Sequence, residues 1–218
     1  MQRQSAFPSA FSDAGFTLAL VGGPVRDAIL GRLGNDLDFT TNARPDETKQ
    51  ILNKWADSIW DTGAAFGTIA GKKGEHTVEV TTYRSENYDP QSRKPEVNFG
   101  DSIDGDLSRR DFTINCLALE LTTPTPEFID LFNGVDDLAK GILRAPIDPH
   151  ILFNDDPLRM MRAARFASQL NFVLNDDLLA AMTAMSQRIT IVSEERIKDE
   201  FVKLLMSSNP RIGLALLV

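Results

Sequence analysis

Cysteine is nearly absent from this chain of 218 residues: Cys116 stands alone and excludes an internal disulfide. One unpaired cysteine fits a reducing compartment. Long apolar runs are missing too. The longest, such as Leu214 to Val218, are far too short to span a bilayer, so no membrane partner is expected. The N-terminus lacks a basic region followed by an apolar core and a small-residue cleavage site, which excludes a recognisable secretory signal. Positive charge is in deficit: 23 Lys and Arg face 31 Asp and Glu, a formal net charge of -8. Neutralising phosphates takes Lys and Arg, so a general nucleic-acid binder is disfavoured and any such contact must be local. No GxxxxGK[ST] and no GxGxxG occurs, which disfavours the common nucleotide-binding folds. Internal repeats and low-complexity tracts are also absent.

What remains is an ordinary globular composition, 42% hydrophobic and 25% charged, long enough for one large domain or two small ones. The first part alternates strand and helix signals. Phe16 to Val21 reads as a strand ending in Gly22-Gly23, with Pro24 at a good first helical position and a helix to Leu30. Asp36 to Thr41 reads as a strand with Leu37 and Phe39 opposite to Asp36, Asp38 and Thr40. A helix is predicted over Pro45 to Trp55. Phe66 to Ala70 and Thr77 to Tyr83 read as a hairpin joined through Gly71-Lys-Lys-Gly74. Residues 84–107 are rich in Asp, Ser, Asn, Pro and Gly, hold no apolar period and read as a long mobile loop, of a length that is usually either functional or disordered. Strands return near Leu117 to Leu121 and Glu127 to Leu131. Beyond Pro149 strand signals vanish, and Asp156 to Leu170, Asp176 to Met185 and Ser193 to Met206 read as helices, the last capped by Ser193. The expected fold is an α/β domain over residues 1–145, then an all-α domain over 146–218. The final apolar run from Arg211 has no cap or polar tail and reads as a helix cut midway in a longer protein.

Five groups of residues can carry chemistry. On a strand, Asp36 and Asp38 point the same way, with Cα atoms roughly 6.5 Å apart, and can share hard cations such as Mg²⁺. Alone, such a pair more often marks a solvated strand face. Gly22-Gly23 before a helix start lets backbone N–H groups approach phosphate, with Arg26 one turn in; it is also an ordinary tight turn. Glu79, between Val78 and Val80, is either a third metal ligand or a solvent-facing acid. Arg109-Arg110-Asp111 can clamp phosphate and meet ribose hydroxyls, or form a surface ion pair. Asp156 can cap a helix on which Arg159, Arg162 and Arg165 recur, drifting about 60° per step. Three like charges on one side call for an anionic ligand or for answering acids.

Taken together, Leu20-Val-Gly-Gly-Pro-Val-Arg-Asp27, Asn35-Asp-Leu-Asp38, Arg109-Arg-Asp-Phe-Thr-Ile-Asn115 and Asp156-Pro-Leu-Arg-Met-Met-Arg-Ala-Ala-Arg-Phe166 resemble the class II CCA-adding enzymes and bacterial poly(A) polymerases, in order and at similar spacing. The resemblance continues through Ser193-Glu-Glu-Arg-Ile-Lys-Asp-Glu-Phe-Val-Lys-Leu-Leu205. It implies a head with a polymerase-β-like nucleotidyltransferase fold, a mixed sheet with helices, followed by a helical neck; longer members add body and tail domains that grip tRNA. It implies that Asp36 and Asp38 hold Mg²⁺ with Glu79 as third acid, that Gly22, Gly23 and Arg26 hold the triphosphate, and that Arg110 and Asp111 meet phosphate and ribose. Asp156 and Arg159 would read the edges of C and A, supported by Arg162 and Arg165. Asp155 departs from the Glu common at that place. Gly63-Ala-Ala-Phe-Gly-Thr-Ile-Ala70 stands where the poly(A) polymerases carry a basic segment resembling GRRFRLxHV, and the long loop resembles the one that CCA-adding members use to switch from C to A. The implied activity is CCA addition to tRNA from CTP and ATP in the cytoplasm. A poly(A) polymerase, a partial CC- or A-adding enzyme and a non-catalytic RNA- or nucleotide-binding module are the alternatives.

Overall fold

The computed structural model describes residues 6–87, 96–100 and 102–218. Contacts divide the chain into two compact units: Met1–Arg110 with Asn115–Leu131, and Asp111–Ile114 with Phe132–Val218.

The first unit runs α1 (Ala6–Ser12), β1 (Leu18–Val21), α2 (Gly23–Ile29), β2 (Asp36–Thr41), α3 (Pro45–Trp55), β3 (Ser58–Trp60), β4 (Thr68–Lys73), β5 (His76–Thr82), β6 (Arg84–Asn87), β7 (Glu96–Phe99), α4 (Ile103–Ser108), β8 (Ala118–Glu120) and β9 (Glu127–Ile129). Seven strands form one mixed sheet in the order β3-β4-β5-β2-β1-β8-β9. Only β2 and β5 lie parallel in it; the other neighbours are antiparallel. Period-two alternation sorts the faces. Phe39, Ile69, Val78 and Val80 point to one side, where they bury against Phe7, Phe11, Ile51 and Leu52 from α1 and α3. Each such side chain contributes about 1.5–3 kcal/mol. The opposite face carries Asp36, Asp38 and Glu79, all exposed.

Strand β2 and helix α3 have the bounds expected from sequence. The hairpin turn lies at Gly74-Glu75, one step past the expected place, so Gly71 and Lys72 belong to β4. The stretch read as a loop over 84–107 differs: β6 pairs with β7, and α4 follows. Its polar composition hid them, because strands this short show no period. The centre of that loop, residues 88–95, lies outside the described residues.

The second unit holds α5 (Gly134–Lys140), β10 (Ile142–Leu143), α6 (Pro149–Asp155), α7 (Leu158–Leu170), β11 (Val173–Leu174), α8 (Asp176–Ala184), α9 (Glu194–Leu205) and α10 (Pro210–Leu216). Helix α7 is its centre: Met160, Ala163, Ala164, Phe166 and Ala167 are buried with Phe112, Leu152, Phe153, Leu178 and Leu204. Small residues let α10 come close. The Gly213 N–H donates to Ser168 Oγ at 2.8 Å, and a Cβ at Gly213 would lie 2.4 Å from the Ala164 carbonyl oxygen. One strand pair interrupts the helices, β10 parallel to β11, too short for a sequence signal. Ser193 holds the N-cap position of α9, but its side chain makes no capping bond. Among the described residues no helix is long and apolar enough to cross a membrane.

Candidate functional site

In the first unit, the parallel register sets Asp38 beside Glu79 and Asp36 beside Thr77. Asp36, Asp38 and Glu79 therefore share one face of two adjacent strands. Their mutual effect is electrostatic: the Asp38 carboxyl is raised above the usual carboxylate range, first by desolvation, then by the charges of Glu79 and Asp36, against the opposing pull of Arg110. Among the described residues no group of three or more His, Cys, Asp or Glu gathers closely enough to hold a metal ion. A closed protein cage is thus absent there, but Mg²⁺ does not require one. It keeps several waters and takes one or two carboxylates plus substrate phosphates. Two exposed aspartates two residues apart on a strand, with a third acid alongside and an unneutralised charge at Asp38, fit that pattern.

The cationic side of the face is organised by a residue that sequence reading missed. Asp106, on α4, has no exposed surface. Its Oδ1 accepts from Arg109 Nε at 3.0 Å and Nη2 at 2.6 Å; its Oδ2 accepts from Arg110 Nη2 at 3.0 Å and from Thr40 Oγ1 at 3.2 Å. Burial alone would raise its pKa; the two arginines outweigh burial and hold it below the usual carboxylate range. Asp106 thereby ties Arg110 to β2, the strand that carries Asp36 and Asp38. The four-residue step from Asp106 to Arg110, just past the end of a short helix, was the available signal, lost inside a stretch read as loop.

Gly22 meets the same arginine. Its φ of 71° and ψ of -130° suit glycine, and a Cβ there would lie 2.9 Å from Arg110 Nη1. Its N–H donates to the Leu117 carbonyl at 3.0 Å. Gly23 opens α2, whose first-turn amides have no intrahelical acceptor. Arg26 is buried and strongly engaged: Nε and Nη2 donate to the Asp27 carboxylate at 3.0 and 2.9 Å, and Nη1 donates to Asn115 Oδ1 at 2.7 Å. Asn115 was not foreseen as its partner.

The second unit answers the arginine row of α7 largely with acids. Arg162 donates to Asp111 Oδ2 through Nε at 2.9 Å and Nη2 at 2.5 Å, and lies 3.6 Å from Glu200. Arg165 is buried, bonds Glu200 and Gln169, and stacks 4.1 Å from the Phe166 ring centre. A nucleotide contact from Arg165 would require that pairing to open. Arg159 is also buried and reaches the Leu152 carbonyl at 3.5 Å. Asp156 sits between α6 and α7. Its Oδ1 accepts the Leu158 N–H at 3.1 Å, in keeping with the expected cap, and its Oδ2 accepts from Arg196 at 2.9 Å. Glu200 and Arg196 on α9 are the partners that sequence reading did not name. Asp36, Asp38, Glu79, Gly22, Gly23, Arg26 and Arg110 belong to the first unit; Asp111, Asp156, Arg159, Arg162 and Arg165 belong to the second.

A mixed sheet with three acids on one face and a glycine turn at a helix start is followed along the chain by a helical unit. A family profile described as "Poly A polymerase head domain" matches residues 18–144, and a second, "Probable RNA and SrmB- binding site of polymerase A", matches residues 171–218. The chain belongs to this poly(A) polymerase head-domain family. It is similar to the CCA-adding enzyme of Enterococcus faecalis, 45% identical over 92% of this chain and 48% of that protein. The CCA-adding enzyme of Streptococcus gordonii is 42% identical over 99% of this chain and 55% of its own length. The crystal structure of the Bacillus stearothermophilus CCA-adding enzyme in complex with CTP superposes with a TM-score of 0.85 at 33% identity, covering 99% of this chain and 51% of that one. A tRNA nucleotidyltransferase complexed with a primer tRNA and an incoming ATP analogue gives a TM-score of 0.79 at 27% identity, covering 96% and 59%. The chain spans about half the length of the curated relatives it matches.

Proposed function

We propose that the chain carries the nucleotide-transferring part of an enzyme that adds CCA to tRNA 3′ ends from CTP and ATP without a nucleic-acid template. The observation that carries this reading is the β2–β5 register, which aligns Asp36, Asp38 and Glu79 on one face. The similarity to CCA-adding enzymes along nearly the whole chain supports it. In this reading residues 1–145 act as the nucleotidyltransferase head and residues 146–218 as the neck, in a cytoplasmic tRNA-processing enzyme.

Asp36 and Asp38 would hold Mg²⁺, with Glu79 the third acid. Bound there, Mg²⁺ lowers the pKa of an attacking hydroxyl and offsets charge on leaving pyrophosphate. The chain's own residues do the rest. Gly22 leaves room for Arg110, and Asp106 holds that guanidinium against the sheet. Arg110 would neutralise charge growing on the α-phosphate. Gly23 and Arg26 would meet the triphosphate at the start of α2, where helix amides favour anions. Asp111, held by Arg162, would accept from a ribose hydroxyl. Asp156 and Arg159 would present an acceptor and donors to the base edge, with Arg162 and Arg165 supporting α7.

The test is to give the whole enzyme tRNA lacking CCA, with CTP and ATP together, and to sequence the product 3′ ends. CCA ends support the reading. Runs of A alone would make the protein a poly(A) polymerase, CC or A alone a partial enzyme, and no extension a binding module.

A further inference from the structure

Helix α9 carries part of the family resemblance, Ser193 to Leu205, yet has no part in the chemistry described so far. Arg196, Glu200 and Leu204 recur at four-residue steps and so lie on one face of it. That face meets α7 at three levels. Leu204 is buried in the shared apolar core, and Glu200 bonds Arg165 and approaches Arg162. Arg196 reaches the start of α7, where its Nη2 donates to Asp156 Oδ2 at 2.9 Å.

The pairing of Arg196 is selective. Asp199 and Glu200 stand three and four residues further along its own helix, the usual places for a helical ion pair. Arg196 instead bonds Asp156, 40 residues away. It keeps 55% of its side-chain surface in water, and Asp156 keeps 20%. An ion pair this exposed adds little to stability, so holding the fold together does not account for it. What the pair does is fix a carboxylate. The Leu158 N–H donates to Oδ1 at 3.1 Å and Arg196 donates to Oδ2, so the plane of the Asp156 carboxylate is set from both sides. Each carboxylate oxygen has two acceptor sites, and one at each remains for a further donor.

The bases differ in what they offer such a group. C and A present an amine donor, N4–H₂ or N6–H₂, where U and G present a carbonyl oxygen. A carboxylate accepts from the amines and repels the carbonyls; a guanidinium does the reverse. The ion pair therefore acts twice. It keeps Asp156 aimed as an acceptor, and it directs the Arg196 Nη2 to Asp156 rather than to a carbonyl. We propose that Arg196 is a positioning residue for base selection, acting through Asp156 to favour C and A over G and U. The inference rests on the reading of Asp156 as a reader of the base edge and adds the residue that holds it.

The test uses the whole enzyme with a tRNA lacking CCA and one ending in CC, each of the four nucleotides being supplied singly. Arg196→Ala should lower the ratio of kcat/KM for CTP over UTP on the first tRNA, and for ATP over GTP on the second, by about 10- to 100-fold. Its melting temperature should stay within a few degrees of wild type. Arg196→Lys keeps the charge and a donor and should recover most of both ratios. Unchanged ratios in Arg196→Ala overturn the inference. An equal loss for all four nucleotides overturns it too, because that is the mark of a structural role alone. Asp156→Asn separates the two claims, since its ratios should collapse whatever Arg196 does. If they collapse and those of Arg196→Ala do not, Asp156 reads the base without Arg196 and only this inference falls. If Asp156→Asn keeps the wild-type ratios, the base-reading role of Asp156 fails and takes this inference with it.

Discussion

Replacing Asp106 with Asn probes how the cationic side of the face is built. The substitution keeps shape but removes the charge that faces Arg109 and Arg110, and it turns one acceptor into a donor aimed at a guanidinium or at Thr40. Four hydrogen bonds converge on a carboxylate with no exposed surface. Breaking one partner of a buried ion pair costs about 3–5 kcal/mol. Arg109 and Arg110 keep 18% and 19% of their side-chain surface in water, which favours the lower end. At 2–4 °C per kcal/mol for a chain this long, the melting temperature at pH 7 should fall by about 6–12 °C. The sign with pH follows from the depressed pKa of Asp106. Its stabilisation is present above the ordinary carboxylate range and is lost as pH falls below that range toward the folded-state value. Thermal melts of Asp106→Asn and wild type should therefore converge on acidification. A shift under about 2 °C at neutral pH, or a difference that persists undiminished in acid, would refute the argument.

Three more outcomes follow from the same geometry. Gly22→Ala forces a non-glycine residue to a φ of 71° and drives a methyl to 2.9 Å from Arg110 Nη1; it should cost about 1–3 kcal/mol in a melt and weaken CTP binding. Asp38→Asn removes a charge that its surroundings disfavour, so without metal the variant should melt higher than wild type at pH 7 while losing turnover. Because the Asp38 pKa is raised, the wild-type penalty is full above that raised value and disappears as pH falls through it, and the advantage should vanish with it. Arg159→Ala should erode the choice of C and A over G and U, read as incorporation ratios from single nucleotides; unchanged ratios exclude Arg159 from base selection.

The sheet was legible where its alternation was strong. Asp36 to Thr41 reads as a strand because Leu37 and Phe39 alternate with polar residues, and that alternation also aims Asp36 and Asp38 outward. What the sequence did not disclose is mostly pairing across long separations. Arg26 read as a phosphate contact, yet its guanidinium spans Asp27 and Asn115, the latter 89 residues away. The α7 arginines called for anions, and the structure supplies Asp111 and Glu200 from other segments. Asp106 lay in a polar stretch whose short helix has too few turns to show a period.

The central claim is that Asp36 and Asp38 are the acids of a Mg²⁺-dependent transfer. Its most direct measurement is the incorporation of CMP and AMP into tRNA lacking CCA by wild type, Asp36→Ala and Asp38→Ala, with and without Mg²⁺. The account predicts Mg²⁺-dependent addition by wild type and none above background by either variant, with both variants folded. Addition retained by Asp36→Ala or Asp38→Ala would contradict it.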